Sequence, residues 1–321
     1  MLRQLLLICI FSIITNFSIS KPIKKIRING RRQSPIDIKT NKVRRMHASP
    51  LGYVSVDFST NDANSQRQSQ ASKKNLGFVK LKNKGHGVGF SSDSWSHLRL
   101  LGAGLNRVYK PVEFHFHWGM DKVHGGSEHR VDGVKWPVEL HMVHIANKFV
   151  DVKEALLSGE ADALAVIGVF IDVVEEKGGV DESTAGSGDH DYIIEDDEEF
   201  ENRYDHQHPQ QQSTSYPLEP LVDAFSHIVD SEKEVIVDLR DVSIDDLLPE
   251  DRRSFWRYDG SLTTPDFDEI VVWTVMQQPL ELPEAFMAEL AKVRDSKGQK
   301  MRGNARVVQP LKLRTVWENV L

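Results

Sequence analysis

In residues 113–118, three aromatic side chains alternate with the polar side chains of Glu113, His115 and His117. Strict alternation over such a short segment predicts a β-strand, in which side chains two residues apart point to the same face. The aromatic side chains would then pack into a core on one face of the strand. Glu113 and the two histidines would share the opposite face.

A second segment, residues 139–143, places Glu139, His141 and Val143 on one face of another predicted strand. If the two strands are neighbours, three imidazoles converge from a rigid sheet. Three histidines that leave one tetrahedral position open are the ligand set of a catalytic zinc site. Glu139 stands two residues before a histidine, as Glu113 does. Each carboxylate is either an ordinary strand residue or an acceptor for that histidine's second ring N–H.

The remaining apolar segments predict more strands than helices. Residues 164–171 form a near-continuous apolar run, which is typical of a strand buried on both faces. Residues 235–239 and 270–275 predict further strands, and residues 221–228 and 284–293 predict short helices. We therefore expect a mainly β (α+β) fold, with a single domain built on a large, twisted, mostly antiparallel central sheet with short peripheral helices.

Residues 1–20 have the pattern of a secretory signal peptide. Arg3 precedes an apolar run from Leu5 to Ile14, and small residues follow it at the expected cleavage site. The run is too short for a membrane anchor, so we expect a secreted protein whose domain spans residues 21–321. Cys9 is the only cysteine of the chain, so the mature protein would form no disulfide.

The net charge of −7 is concentrated in one segment. Between Val174 and Tyr216, thirteen acidic residues stand against two basic ones, with little apolar periodicity. This composition predicts a disordered insertion at about residues 175–215. Such a loop is either a solvated appendage or a site that binds cations or a basic partner. No basic stripe with interleaved aromatic residues occurs, so we expect no nucleic-acid binding.

Six blocks of the sequence, taken in order, resemble the α-class carbonic anhydrases. Both histidine segments lie within these blocks, and the acidic insertion interrupts the resemblance. The blocks are residues 33–38, 114–119, 126–132, 139–144, 258–265 and 304–310. Six blocks in one order make the resemblance highly specific.

The resemblance implies zinc-dependent, reversible hydration of carbon dioxide to bicarbonate and a proton, by attack of zinc-bound hydroxide. Zn²⁺ would be held by His115, His117 and His141. Thr263 would accept a hydrogen bond from the hydroxide and donate its own to Glu128, which orients the nucleophile. The resemblance further implies a substrate wall of Val143, Val166, Leu262, Thr263, Thr264 and Trp273, and supporting contacts from Glu113, Glu139 and Asn304.

His86 lies between two glycines, where the fastest family members carry a histidine that shuttles protons. An ordinary histidine pKa of about 6.5 suits that transfer at neutral pH. Without the resemblance, His86 would be interpreted as an exposed loop residue.

Three departures from the family pattern matter. Glu113 replaces the usual glutamine beside the first zinc histidine, so we expect a more basic His115 and a higher pKa for the zinc-bound water. The aromatic stretch that usually precedes the first block has no counterpart in residues 21–32, so we expect lower stability or slower proton transfer. Asp266 replaces the second proline of the Thr-Thr-Pro-Pro motif, which we expect to alter loop rigidity more than chemistry.

Two other functions are compatible with parts of the sequence. Cupin dioxygenases also combine a His-x-His pair, a glutamate and a later histidine, which His117, Glu128 and His141 satisfy loosely. A cupin does not explain the Thr-Thr-Pro segment or the first block. Alternatively, the chain is a non-catalytic, carbonic anhydrase-like binding or matrix protein, as in relatives that have lost zinc ligands.

Deleting residues 175–215 should leave carbon dioxide hydration nearly unchanged if the acidic insertion is an appendage. A stopped-flow comparison of the full and shortened chains would test this. A large loss of activity in a shortened chain that still folds would place the insertion in the active site.

Overall fold

The computed structural model describes residues 30–56, 74–121, 124–175, 216 and 218–320. The predicted signal peptide lies outside the described residues, as does nearly all of the predicted acidic insertion. Both therefore stay predictions. The structure also leaves undescribed the first residues of the expected mature domain.

Strands dominate the described part of the chain, and thirteen of them form one large sheet. The strands are β1 (Asp37–Ile38), β2 (Arg44–Met46), β3 (Leu51–Ser55), β4 (Asn75–Asn83), β5 (Val88–Ser91), β6 (Leu98–Gly102), β7 (Tyr109–Trp118), β8 (Arg130–Val131), β9 (Val138–Ala146), β10 (Leu164–Val174), β11 (Glu234–Ser243), β12 (Phe255–Gly260), β13 (Val271–Met276), β14 (Leu280–Pro283) and β15 (Trp317–Asn319). The main path of the large sheet runs β11–β4–β5–β7–β9–β10–β13–β12–β15–β2, with β14 paired to β10, and β6 paired to both β3 and β7.

The sheet is mixed but mostly antiparallel. Within it, β10 runs parallel to β13 and β14, and β15 runs parallel to β2. The other pairs of the large sheet are antiparallel. The predicted fold class is therefore confirmed.

Short helices lie around the sheet: α1 (Val152–Ser158), α2 (Glu219–Phe225) and α3 (Glu284–Leu290). Asp151 caps α1, because its side chain accepts a hydrogen bond from the backbone N–H of Glu154. Among the described residues, none of the helices has the length and apolar character needed to cross a membrane.

The patterns in the sequence located the central elements correctly. The apolar run predicted at residues 164–171 lies in β10, where every residue from Leu164 to Ile171 is buried. The helix predicted at residues 221–228 is α2 followed by one 3₁₀ turn, Ser226–Ile228. The helix predicted at residues 284–293 ends earlier, at Leu290.

An aromatic cluster lies behind the histidine face of β7, as the alternation predicted. Trp95 stacks on Phe114 with ring centroids 4.6 Å apart, and Phe90 meets the edge of Phe114 at 5.5 Å. Phe116 lies 5.9 Å from Phe90 and contacts Phe286 of α3 at 5.2 Å. Close packing fixes these side chains in single orientations, so the opposite face of β7 is held rigidly.

The Phe90→Ala variant should lower the free energy of unfolding by about 3–5 kcal/mol, because it opens a cavity beneath β7. Phe78, on the neighbouring strand β4, is 53% exposed, whereas Phe90 is 1% exposed. Phe78→Ala is therefore a matched control, expected to cost less than about 1 kcal/mol. Urea unfolding of both variants measures the difference. Equal losses would contradict a core centred on Phe90.

Candidate metal centre

The antiparallel pairing of β7 and β9 brings the three predicted zinc ligands together. In the register of this pair, His115 lies opposite His141, and His117 lies opposite Glu139. Since side chains two residues apart share a face, all three imidazoles project from the same side of the sheet. The expectation that the two strands are neighbours is confirmed.

The three rings form a tight cluster. Ring centroids are 5.1 Å apart for His115 and His117, 5.3 Å for His115 and His141, and 4.5 Å for His117 and His141. Their possible ligand nitrogens all lie within 4.8 Å of one another. One small metal ion could therefore contact all three histidines.

Oxygen acceptors fix the orientation of two of these rings. His141 donates from Nε2 to Oε1 of Glu139 at 2.8 Å, which leaves Nδ1 for a metal. Nδ1 of His117 lies 3.4 Å from the backbone carbonyl oxygen of Asn304, which leaves Nε2. That Nε2 is buried, and no described residue provides it with a hydrogen-bond partner. An imidazole held this way fits a bound zinc ion.

Burial keeps two of the imidazoles, those of His117 and His141, in the neutral form that binds metals. It lowers the pKa of His141 to about 4 and holds the pKa of His117 well below the ordinary value. Burial alone would favour a protonated Glu139, but the nearby rings of His129 and His141 hold its pKa well below the usual range. The site therefore presents neutral nitrogens backed by a carboxylate at neutral pH.

Glu128 lies next to His117 and His141, with carboxylate oxygens 3.4 and 3.9 Å from their Nδ1 atoms, and is fully buried. Its Oε1 accepts a hydrogen bond from the backbone N–H of Arg306 at 2.8 Å. Burial raises the pKa of Glu128 to about 8, while the contacts with Arg306 and the Thr263 side chain act in the opposite direction. A divalent cation bound nearby would lower the pKa of Glu128 from this raised value. It would thereby favour the ionised carboxylate, which accepts a hydrogen bond from Thr263.

A small apolar cavity of about 50 Å³ opens beside His115 and His141. The structure brings together all the residues that the resemblance assigned to the substrate wall. The cavity is lined by Val112, Glu113, His115, His141, Val143, Val152, Leu164, Val166, Leu262, Thr263, Thr264 and Trp273. Trp273 is fixed there because its indole N–H donates to the backbone oxygen of Ser261 at 3.0 Å. Water is weakly bound in such a lining, so a small apolar molecule can enter.

A buried chain of hydrogen bonds extends behind Glu139, and reasoning from the sequence had assigned no role to it. His129 donates its backbone N–H to Oε2 of Glu139 at 2.8 Å, and its Nδ1 lies 2.7 Å from Oε1. The other ring nitrogen of His129 lies 2.6 Å from the Tyr258 hydroxyl, which donates to Ser34 at 2.9 Å. The carboxylate that orients His141 is thus fixed from several directions.

Gly168 of β10 was also missed. It lies opposite His141 in the pairing of β10 with β9. A Cβ at this position would lie 2.9 Å from Oε1 of Glu139, so only glycine leaves enough space for the carboxylate in its observed position. The signal in the sequence was a lone glycine within an apolar strand, which marks a close approach of other atoms.

The third histidine of the cluster, His115, has a different environment. Oε1 of Glu113 lies 3.4 Å from Nδ1 of His115, and the same oxygen forms an ion pair with Lys84. Burial lowers the pKa of Lys84 to about 8, with Glu113 acting in the opposite direction. The expected partnership of Glu113 and His115 is present in the structure. Lys84, which the sequence did not single out, adds a cation to it.

His86 lies in the turn between β4 and β5 and is exposed. It is not among the residues that line the cavity. Partial desolvation and then the charge of Lys84 lower the pKa of His86 from its ordinary value. Below that pKa an imidazole is charged and above it neutral, so His86 exchanges protons at a lower pH than an ordinary histidine does.

The loop after the active-site block has its own conformation. Asp266 has a φ of 79° and Phe267 a φ of 48°. A proline ring fixes φ at about −65°, so proline could not occupy position 266 in this loop. The absence of proline at position 266 therefore agrees with the backbone conformation of this loop.

Comparison with known proteins agrees with this geometry. The sequence matches the family model of the eukaryotic-type carbonic anhydrases over residues 21–185 and 206–320. These two ranges cover most of the chain. It belongs to that family. Carbonic anhydrases are zinc enzymes that hydrate carbon dioxide, so the histidine cluster lies where a carbonic anhydrase is expected to hold its metal.

Individual proteins similar to this chain are also named as carbonic anhydrases. Carbonic anhydrase 3 of Rattus norvegicus is 32% identical over 228 residues, covering 70% of this chain and 71% of the relative. Carbonic anhydrase 3 of Mus musculus matches to the same extent. A Caenorhabditis elegans protein named "Putative carbonic anhydrase 3" is 26% identical over 288 residues, covering 89% of each chain.

The family assignment rules out the cupin alternative. The carbonic anhydrase match includes the segments that hold His117, Glu128 and His141. The strands carrying these histidines belong to one sheet of thirteen described strands, whereas a cupin has a small barrel. The cupin hypothesis was therefore wrong.

Gly168→Ala should weaken zinc binding about tenfold, because the new methyl group displaces the carboxylate that orients His141. Gly52→Ala on β3 is the matched control, since a Cβ there meets no atom within 4 Å. Competition with a chromophoric chelator measures both affinities. Unchanged affinity in the folded Gly168→Ala variant would show that Glu139 does not need its observed position.

Proposed function

We propose that this chain catalyses the zinc-dependent, reversible hydration of carbon dioxide to bicarbonate and a proton. One observation carries the proposal: three imidazoles converge beside Thr263 and Glu128, next to an apolar cavity. A rigid set of nitrogen ligands with a small apolar pocket suits a gaseous, uncharged substrate.

His115, His117 and His141 are the residues that would hold zinc. The nitrogens left by their other contacts are Nε2 of His115 and His117 and Nδ1 of His141. Bound there, zinc supplies Lewis acidity that lowers the pKa of water toward neutrality, so that hydroxide is available at physiological pH.

Thr263 and Glu128 form the positioning pair. The Thr263 hydroxyl donates to the buried carboxylate, so its oxygen lone pairs would be left to accept a hydrogen bond from the attacking hydroxide. Glu128 is itself held by the backbone N–H of Arg306. This arrangement restricts the attacking oxygen to one orientation, in which a lone pair points at the substrate carbon.

The apolar wall accepts carbon dioxide without competing hydrogen bonds. Val143, Val166, Leu262 and Trp273 line the cavity next to His141. Thr264 lines the same cavity and can donate a hydrogen bond to a substrate oxygen. Bicarbonate, being charged, is less stable in this lining than carbon dioxide, which favours product release.

Each hydration releases a proton that must reach solvent. We assign this transfer to His86, because it is exposed and lies two residues after Lys84, which contacts Glu113 beside His115. Its ring can take up a proton from water on the inner side and release it to buffer on the outer side.

The alternative of a non-catalytic binding protein lacks support in the site. Relatives of that kind have lost zinc ligands, whereas this chain keeps three histidines in one cluster. We further propose that the signal peptide directs the enzyme out of the cell. The acidic insertion would then be available to bind cations or a basic partner outside the cell.

Stopped-flow measurement of carbon dioxide hydration tests the proposal. Purified protein should be active, should lose activity on treatment with a strong zinc chelator and should recover it when zinc is restored. Thr263→Ala should lower kcat/KM about 100-fold while zinc binding stays intact, because the attacking oxygen loses its orientation. Val143→Ile, which changes the cavity wall alone, should reduce kcat/KM by less. Zinc-loaded protein without hydration activity would overturn the proposal.

A further inference from the structure

A lysine and a glutamate form a buried ion pair at the edge of the proposed zinc site. The side chains of Lys84 and Glu113 are only 8% and 10% exposed, and Nζ of the lysine contacts Oε1 of the glutamate. That oxygen also lies 3.4 Å from Nδ1 of His115. One oxygen atom of Glu113 therefore lies between the ammonium group of Lys84 and the ring of His115, which is a proposed zinc ligand.

The turn that carries Lys84 is held firmly. Asn83 donates its side-chain N–H groups to the backbone oxygens of Val229 and Arg294 at 3.0 and 2.9 Å, and it accepts from the N–H of Gly85 at 2.8 Å. The backbone N–H of Lys84 donates to the oxygen of Gly87 at 2.9 Å. The lysine side chain therefore starts from a fixed position.

A glycine on β5 gives this side chain room to reach β7. Gly89 lies opposite His115 in the pairing of β5 with β7. A Cβ at Gly89 would lie 2.9 Å from Nζ of Lys84 and 3.0 Å from Cβ of His115. Any larger residue at this position would push the ammonium group away from Glu113.

We infer that Lys84 is a positioning residue of the metal centre, which holds the Glu113 carboxylate against His115 and balances its charge. The inference rests on the proposed zinc function. It follows from the cost of burying a single charge, which either partner would impose if it stood alone. The pair as a whole is neutral, like the glutamine that is usual in the family.

The contact with Lys84 changes the effect that the sequence led us to expect of Glu113. Glu113 alone was expected to make His115 more basic and to raise the pKa of the zinc-bound water. With Lys84 in contact, most of the carboxylate's field at the metal is cancelled. The sequence showed the glutamate without its partner, because Glu113 lies on β7 whereas Lys84 lies in the turn between β4 and β5.

The test is a set of charge-removing variants: Lys84→Met, Glu113→Gln and the double variant. Lys84→Met should raise the midpoint of the kcat/KM pH profile by about half a pH unit, and Glu113→Gln should lower it by a similar amount. The double variant should return within about 0.2 unit of the wild type, because both charges are gone. Ample external buffer keeps proton transfer by His86 from limiting the rate.

Zinc affinity gives a readout that does not depend on activity. Glu113→Gln leaves an unbalanced ammonium beside a divalent ion, so chelator competition should show about tenfold weaker binding. In the double variant the affinity should recover to within about threefold of the wild type. A merely structural ion pair would change unfolding temperatures without this recovery.

The matched control is Lys82→Met. Lys82 lies on β4, two residues before Lys84, and pairs with Glu232 at 2.7 Å, but the side chain of Glu232 is 64% exposed. Loss of the Lys82 ammonium group should change neither the zinc affinity nor the kcat/KM pH profile. The inference is overturned if the double variant binds zinc as weakly as Glu113→Gln, or if Lys84→Met leaves the profile unmoved. A wild-type protein that fails to bind zinc or hydrate carbon dioxide would instead overturn the proposed function.

Discussion

The register between β7 and β9 is the constraint on which the site depends. It sets His115 directly opposite His141, with His117 two residue pairs further along, opposite Glu139. A slip of one residue would turn one strand's polar face into the aromatic core. Because the core side chains of β7 are buried and tightly packed, such a slip would expose a large apolar area. Core packing therefore fixes the positions of the imidazoles before any metal binds.

The three carboxylates around the histidines illustrate a second constraint, which is the cost of buried charge. Glu139 accepts hydrogen bonds from His129 and His141. Glu128 accepts the backbone N–H of Arg306, and Glu113 is paired with Lys84. Each carboxylate thus has donors suited to its task, and none is buried without a hydrogen bond or a cation.

Much of the fold and the ligand set could be predicted from the sequence, because the signals are local. Alternation over residues 113–118 gave the correct faces of β7, and the apolar run in β10 gave a strand buried on both sides. Helix ends were less certain, since Leu290 ends α3 although the apolar pattern continues to Val293. Tertiary packing decides such ends more than local pattern does.

The contacts that tune the site could not be predicted in the same way, because they join distant segments. Lys84 and Glu113 are separated by a strand, and nothing in either segment indicates the other. Gly89 and Gly168 have similar roles, since each leaves room for another residue's charged group beside a histidine. A glycine signals that something approaches closely, but only the fold shows what approaches. The site thus combines a ligand set specified by local alternation with a charge balance specified by sheet order. Changes in that charge balance can alter the surroundings of the proposed metal while all three histidines stay in place.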